Sequence, residues 1–375
     1  MVVDLGDFAK IPLIDCHVHF GQLGSMKNVL DILGAADFHR ITLLSLASTR
    51  FDEEKAPNLN PEAIALKALH PEMFYAFGGL DYYAVLRGGG TPHLSDQVDN
   101  LERIGFDGIK MVEGKPDSRR ALGIKFDDPF FEDYFQRLEE RRLPLLFHVA
   151  DPEEFWDPNA VPSWAKRSGW FYDSTFPSKQ QLYEEVGHVL DSHPDLRVIF
   201  AHFYFLSGSP EAAAEFIENH SCVSLDITPG IEMYHNFSAG RDKWREFFMK
   251  YQDKILFGTD ISSDQSIESA LARVWIIRKF LETDAVFYAP YESDSLLDAG
   301  ARKPLQGLNL PTQVLEKIYC ENFRRLSGSI PKRLDHNLAI EECERLAGEE
   351  ALMGGGAMES SVGIAVANLI RNLPH

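Results

Sequence analysis

A chain of 375 residues with 45% apolar side chains can bury a large core, either as one α/β barrel with insertions or as two medium domains. Its 37 basic and 57 acidic residues leave a net charge of −20, a field that repels nucleic acid and anionic membranes and speaks against both as partners. Cys16, Cys222, Cys320 and Cys343 are scattered with no C-x-x-C spacing, as expected of a reduced, cytoplasmic protein. Met1 to Lys10 lacks the apolar core of a signal peptide, and no apolar run approaches the roughly 20 residues of a membrane helix.

Taken in chain order, strand-like runs recur at Leu13–Phe20, Ile41–Ser48, Phe74–Asp81, Phe106–Val112, Leu143–Val149, Arg197–Phe203, Val223–Thr228 and Ile255–Ile261. Helical patterns fall between them at Lys27–Ala36, Pro61–Leu69, Ser95–Ile104, Pro129–Arg142, Lys179–Ser192, Pro210–Asn219 and Lys243–Tyr251. Apolar strands alternating with amphipathic helices make parallel βαβ units, and this many of them predict a closed (β/α)8 TIM barrel over residues 1–330. No G-x-G-x-x-G follows the first strand to support a dinucleotide-binding sheet. A long aromatic loop, Asp151 to Pro177, follows strand 5 and emerges on the rim where barrel active sites lie; it suits a substrate wall or a small self-packed loop. Asp284 to Pro311 looks irregular. Residues 331–375 form a C-terminal helical extension (Leu334 to Leu352, a glycine break, then a second short helix) that suits packing or subunit contact, and a homo-oligomer is expected.

The first strand ends in Ile14-Asp15-Cys16-His17-Val18-His19-Phe20. Strict alternation would put Leu13, Asp15, His17 and His19 on one face and Ile14, Cys16, Val18 and Phe20 on the other, packed on helices. Two imidazoles one strand repeat apart can converge on one cation. His148, His202 and Asp260 interrupt the apolar ends of the fifth, sixth and eighth strands. Polar groups at matching depths on one rim of a barrel are costly unless paired or metal-bound, so a metal centre explains them better than packing.

This constellation resembles the amidohydrolase superfamily, most closely its branch with non-oxidative decarboxylases such as aminocarboxymuconate-semialdehyde decarboxylase. The resemblance runs from about Leu13 to Gly328. It rests on the first-strand motif, Gly105-Phe106-Asp107-Gly108-Ile109-Lys110, His193-Pro194-Asp195-Leu196 leading to Ala201-His202, Leu256-Phe257-Gly258-Thr259-Asp260, and Asn322-Phe323-Arg324-Arg325-Leu326. It implies a divalent metal, usually zinc, held by His17, His19, His148 and Asp260, with one ion per chain preferred over two. It further implies that His202 is catalytic in a one-metal enzyme or a ligand in a two-metal one. Lys110 matches the carboxylated lysine that bridges two metals in other branches, or is simply a lysine paired with Asp260 or Glu113. After Lys110 the chain reads Met111-Val112-Glu113, where a histidine often follows in that branch.

The reaction expected is hydrolysis of a C–O or C–N bond in a small ester, lactone or amide by a metal-activated water. Asp260 would accept the proton and His202 would assist as acid or oxyanion partner. Non-oxidative decarboxylation or hydration of a small carboxylated substrate is the alternative. Asp15 suits a structural role or one behind a metal-bound histidine. Arg50, Arg119 or Arg120 could grip a substrate carboxylate. Trp156, Tyr234 and His235 are further substrate-binding candidates, whereas Glu113 reads as a solvated rim acid.

Overall fold

The strand-forming runs assemble into a single sheet of parallel strands, and the amphipathic helices cover its outer face. The computed structural model describes residues 3–47, 58–86, 93–230, 232–290, 303–353 and 357–374. The strands are β1 (Leu13–His19), β2 (Phe38–Leu44), β3 (Phe74–Gly79), β4 (Gly108–Gly114), β5 (Leu145–Val149), β6 (Val198–Phe200), β7 (Val223–Asp226), β8 (Ile255–Leu256) and β9 (Ile261–Ser262). Their order in the sheet is β8-β7-β6-β5-β4-β3-β2-β1-β9. The expected eighth strand is thus broken in two. Its first half pairs with β7 and its second with β1, which closes the barrel. Across the break, Cys16 N donates to Phe257 O at 3.0 Å and Asp260 N donates to His17 O at 2.9 Å.

Inside the barrel, Ile14, Cys16, Leu44, Tyr75, Phe77, Leu146, Ile199, Ala201 and Leu256 form one buried cluster. Phe323, from the helix Asn322–Ser327, plugs it by packing on Tyr75 and Phe77. Ile14 and Cys16 therefore point inward, against the alternation expected from the sequence. The cause is a register shift between Asp15 and Val18 in the β1–β2 pairing, which lets Cys16 and His17 break the two-residue period. Val18 and Phe20 join the outer core with the helices.

The loop after β5 carries its own core of Phe155, Val161, Ala165 and Tyr172, against which Trp156, Trp164, Trp170, Phe171 and Phe176 pack. Tyr172 fastens it to the barrel by donating to Asp151 Oδ2 at 2.6 Å. A 16-residue helix, Ile267–Glu282, follows β9 and has no counterpart in the sequence reading. The last helices, His336–Leu352 and Val362–Arg371, pack against each other and on the helix Asn60–Leu69. No helix among the described residues is long and apolar enough to cross a membrane.

Asp107, at the entry to β4, welds three of these parts. It pairs with Lys67, whose side chain is wholly buried, and accepts from Ala76 N (2.9 Å) and from Lys332 N (2.7 Å). Asp107→Ala would strand a buried ammonium and two backbone donors. A loss of about 3–5 kcal/mol is expected from breaking such a pair, read as a lower urea midpoint at unchanged slope.

Candidate metal centre

β1 delivers two imidazoles to the C-terminal mouth of the barrel. His17 is buried, and its Nδ1 lies 2.8 Å from Asp226 Oδ2. An ionised carboxylate only accepts, so Nδ1 carries the proton and Nε2 keeps a lone pair. That Nε2 faces His19 Nε2 at 3.2 Å and Asp260 Oδ1 at 3.5 Å, while His19 Nε2 lies 3.1 Å from the same oxygen. One ligand atom from each of His17, His19 and Asp260 falls within 4.8 Å of the others. Gly258 allows this approach: a Cβ there would lie 3.2 Å from both Cys16 Sγ and the Cβ of His17.

Asp226 organises the next shell of contacts. Besides the His17 ring, it accepts the backbone N–H of His202 at 2.8 Å and that of Thr228 at 3.2 Å, and it pairs with the Thr228 hydroxyl. Asp15, by contrast, does not touch the His17 ring. It accepts from His17 N at 3.0 Å, Thr259 N at 3.1 Å and Thr259 Oγ1 at 2.5 Å, and so stitches β1 to the broken eighth strand.

The sixth strand stops at Phe200, three residues earlier than expected, because His202, Phe203, Tyr204 and Phe205 all adopt positive φ (52°, 57°, 53° and 50°). A left-handed turn of L-residues costs roughly 1–2 kcal/mol per residue. Packing holds it. Phe203 is enclosed by Phe237, Trp244, Phe247 and Phe248, and Tyr204 lies between Phe200 and Phe216. Tyr183 Oη also donates to Tyr204 O at 2.6 Å. The turn stacks the Phe205 ring on His202, with centroids 5.4 Å apart, and sets it 5.8 Å from His148.

His148 stands beside His202 with ring centroids 4.9 Å apart, outside the tight group of three. Its Nε2 lies 3.1 Å from Ala150 O and 3.5 Å from Asp151 Oδ1, so Nε2 donates and Nδ1 is left with its lone pair. Lys110 is buried on β4, and its Nζ has no hydrogen-bond partner, so neither Asp260 nor Glu113 pairs with it. The buried Nδ1 atoms of His19 and His202 are likewise unpartnered.

Burial governs the protonation of this mouth. It is the largest cause holding His17 down at about 4, with the Lys110 ammonium adding to it and Asp226 opposing. Burial also lowers His148 to about 3 and lowers His202. Lys110 falls to about 8 through burial, against the pull of Asp226 and Asp260. Burial alone would raise Asp260, but the His19 hydrogen bond and the neighbouring imidazoles hold it well below the carboxylate range. Burial lifts Asp15 to about 7 despite the Thr259 bonds.

Other candidates go elsewhere. Arg119 is buried in a two-pronged pair with Glu185, at 2.9 and 3.0 Å, because its helix Pro116–Leu122 turns it toward the helix Lys179–Ser192. Arg120 is exposed, donates to Thr175 Oγ1 at 3.0 Å and covers the Phe176 ring. Trp156 packs on Tyr172 and donates to Pro177 O at 3.2 Å, as part of the loop's own core. Tyr234 is a core residue that donates to Ile227 O at 2.9 Å, and His235 lines a hollow beside Leu305 and Gln306. Arg50 lies outside the described residues. Glu113 is not solvated: it is fully buried, with no hydrogen-bond partner for either oxygen. Asp226 and Phe205 lie outside the residues expected from the sequence. Asp226 did leave a signal, since it punctuates the apolar end of β7 as His202 and Asp260 do theirs.

The barrel and its C-terminal mouth, with His17, His19 and Asp260 gathered there, are the frame of a TIM-barrel protein. A family model described as amidohydrolase matches residues 14–328, and the chain belongs to that family, as the sequence motifs implied. The family is metal-dependent. No curated protein sequence matches the chain. Among solved structures, it is similar to an uncharacterised TIM-barrel protein from Bordetella bronchiseptica (TM-score 0.53, 13% identity, covering 84% of this chain and 98% of that one). It is also similar to 2,6-dihydroxybenzoate decarboxylase from Rhizobium (0.50, 14%, 84% and 98%). A third is a dihydroxybenzoic acid decarboxylase from Polaromonas sp. JS666 with bound manganese (0.50, 13%, 84% and 96%).

Burial pushes the Glu113 carboxyl from 4.5 up to about 7. The folded state therefore holds that proton more tightly than the unfolded chain. The group's contribution is most favourable below 4.5 and is lost as pH rises to about 7. Glu113→Gln should remove that penalty, worth about 3 kcal/mol at pH 8. Melting temperatures at pH 5 and pH 8 check this: the variant should lose less between them than the parent does.

Proposed function

We propose that the chain is a metal-dependent hydrolase that cleaves a C–O or C–N bond of a small ester, lactone or amide. The observation that carries this reading is the convergence of His17, His19 and Asp260 within 4.8 Å at the barrel mouth. The donor set suits a divalent ion. His17 presents a lone pair fixed by Asp226, Asp260 is ionised, and His148 has its Nε2 committed to Ala150 so that Nδ1 is available. Zinc is the ion expected, although nitrogen and oxygen donors also suit manganese. Bound there, a divalent ion supplies Lewis acidity and makes water a competent nucleophile at neutral pH.

The chain's own groups do the rest. Asp260 offers Oδ1 beside His19 and can take up a proton released at the centre. His202 stays neutral because burial lowers its pKa, and its backbone is fixed on Asp226, so its one ring N–H can donate a hydrogen bond to a developing oxyanion. Phe205 closes the side of the site behind His148 and His202.

One observation favours decarboxylation as the second reading. Lys110 brings an unpartnered buried ammonium under the centre, which could grip a substrate carboxylate. Against it, Arg119 and Arg120 are engaged elsewhere. Assay of the metal-loaded protein on aryl esters, lactones, amides and hydroxybenzoates separates the two. Acid or phenol release without CO2 supports the hydrolase, and CO2 from a hydroxybenzoate with no ester turnover rejects it.

Two substitutions test the roles. His202→Ala should keep the metal, measured by elemental analysis, and lose turnover by roughly two or more orders of magnitude. Asp226→Asn should weaken metal binding by about 10–100-fold, since the acceptor that orients His17 is lost; competition with a chromogenic chelator reads this directly.

A further inference from the structure

Arg273 sits on the helix Ile267–Glu282 with its side chain only 4% exposed. Its Nη1 donates to two successive carbonyls, Thr259 O at 2.8 Å and Asp260 O at 3.0 Å, and stands 3.7 Å from Asp260 Oδ2. Both carbonyls lie between β8 and β9, where the strand ladder lapses. Asp260 itself holds a left-handed backbone, with φ at 56°, a conformation that side-chain-bearing residues adopt only when their surroundings impose it. Its N–H is tied to His17 O at 2.9 Å. The residue is thus clamped at its amide by β1 and at its carbonyl by Arg273. Its carboxylate is divided the same way, with Oδ1 toward His17 and His19 and Oδ2 toward the guanidinium.

We propose that Arg273 is a positioning residue of the metal centre, gripping the break in the eighth strand so that Asp260 presents Oδ1 to the His17–His19 pair. The inference rests on the metal reading above. A guanidinium suits the task because its donors are fixed in one plane and stay charged when buried. A lysine ammonium can serve one of these carbonyls well but not hold the whole arrangement, and methionine serves neither. The role is hidden from motif reading because Arg273 acts on backbone oxygens rather than on a patterned side chain.

The test measures metal binding, not turnover. Zn2+ affinity is titrated by chelator competition for the parent, Arg273→Lys, Arg273→Met and Asp260→Asn, and Co2+-loaded samples are compared by visible absorption. Arg273→Met should weaken Zn2+ binding about 10–100-fold and alter the Co2+ spectrum, and Arg273→Lys should recover part of both. In an Asp260→Asn background, Arg273→Met should add little further loss, because its effect runs through Asp260. A merely structural arginine would lower the melting temperature of the metal-free protein and leave Zn2+ affinity and Co2+ spectrum unchanged. Should Arg273→Met fail to fold, Arg273→Lys carries the test alone. Any folded Arg273 variant that binds Zn2+ as the parent does overturns the proposal. A parent that binds neither Zn2+ nor Mn2+ overturns the metal reading itself, a distinguishable result.

Discussion

A carboxylate that never reaches solvent, Asp226, ties the two sides of the barrel mouth together. It fixes which nitrogen of His17 is protonated, and it also holds the backbone amide on which His202 is mounted. Those two histidines come from β1 and from the turn after β6, elements that sit on opposite sides of β7 and the broken eighth strand in the barrel. Asp226 is therefore a hydrogen-bonded hub that couples their placement. Taking a carboxylate fully out of water is costly unless donors surround it. Here the ring N–H, two backbone amides and the Thr228 hydroxyl do so.

Among the described residues, six of the nine non-glycine positions with positive φ lie at the mouth. Ala150, His202 to Phe205 and Asp260 all have positive φ, and each lies at a strand end that faces the centre. Such strain persists only where packing over-determines it, and the aromatic enclosure of Phe203 and Tyr204 supplies that on one side. On the other side the brace is polar: His17 O, Asp15 and Arg273 converge on residues 259 and 260. Regular strands deliver the side chains to the rim, and irregular ones aim them.

What could be read from the sequence follows the same division. Helix and strand periodicity disclosed the barrel because burial on both faces of a parallel sheet leaves continuous apolar runs, and His17, His19, His202 and Asp260 stood out by breaking them. The inward turn of Ile14 and Cys16 was hidden, since a register shift leaves no compositional trace. The early end of β6 was hidden too, because Phe203 and Phe205 are as apolar as strand residues and only tertiary packing selects their left-handed backbone. Arg119 and Trp156 misled because a long polar or aromatic side chain near a rim can as readily serve its own helix or loop. Glu113 looked like an ordinary surface acid, and nothing local marks it as enclosed.

The segment between β5 and the helix Lys179–Ser192 brings its own apolar centre, and Asp151 moors it through Tyr172 and Lys115. A module that solves its folding problem internally makes modest demands on its host. Its outer surface is therefore free to vary in shape and chemistry while the imidazoles beneath stay put. Swapping this insert between related barrels, with its mooring aspartate and tyrosine retained, offers a route to new ligand preferences at little risk to the inner machinery.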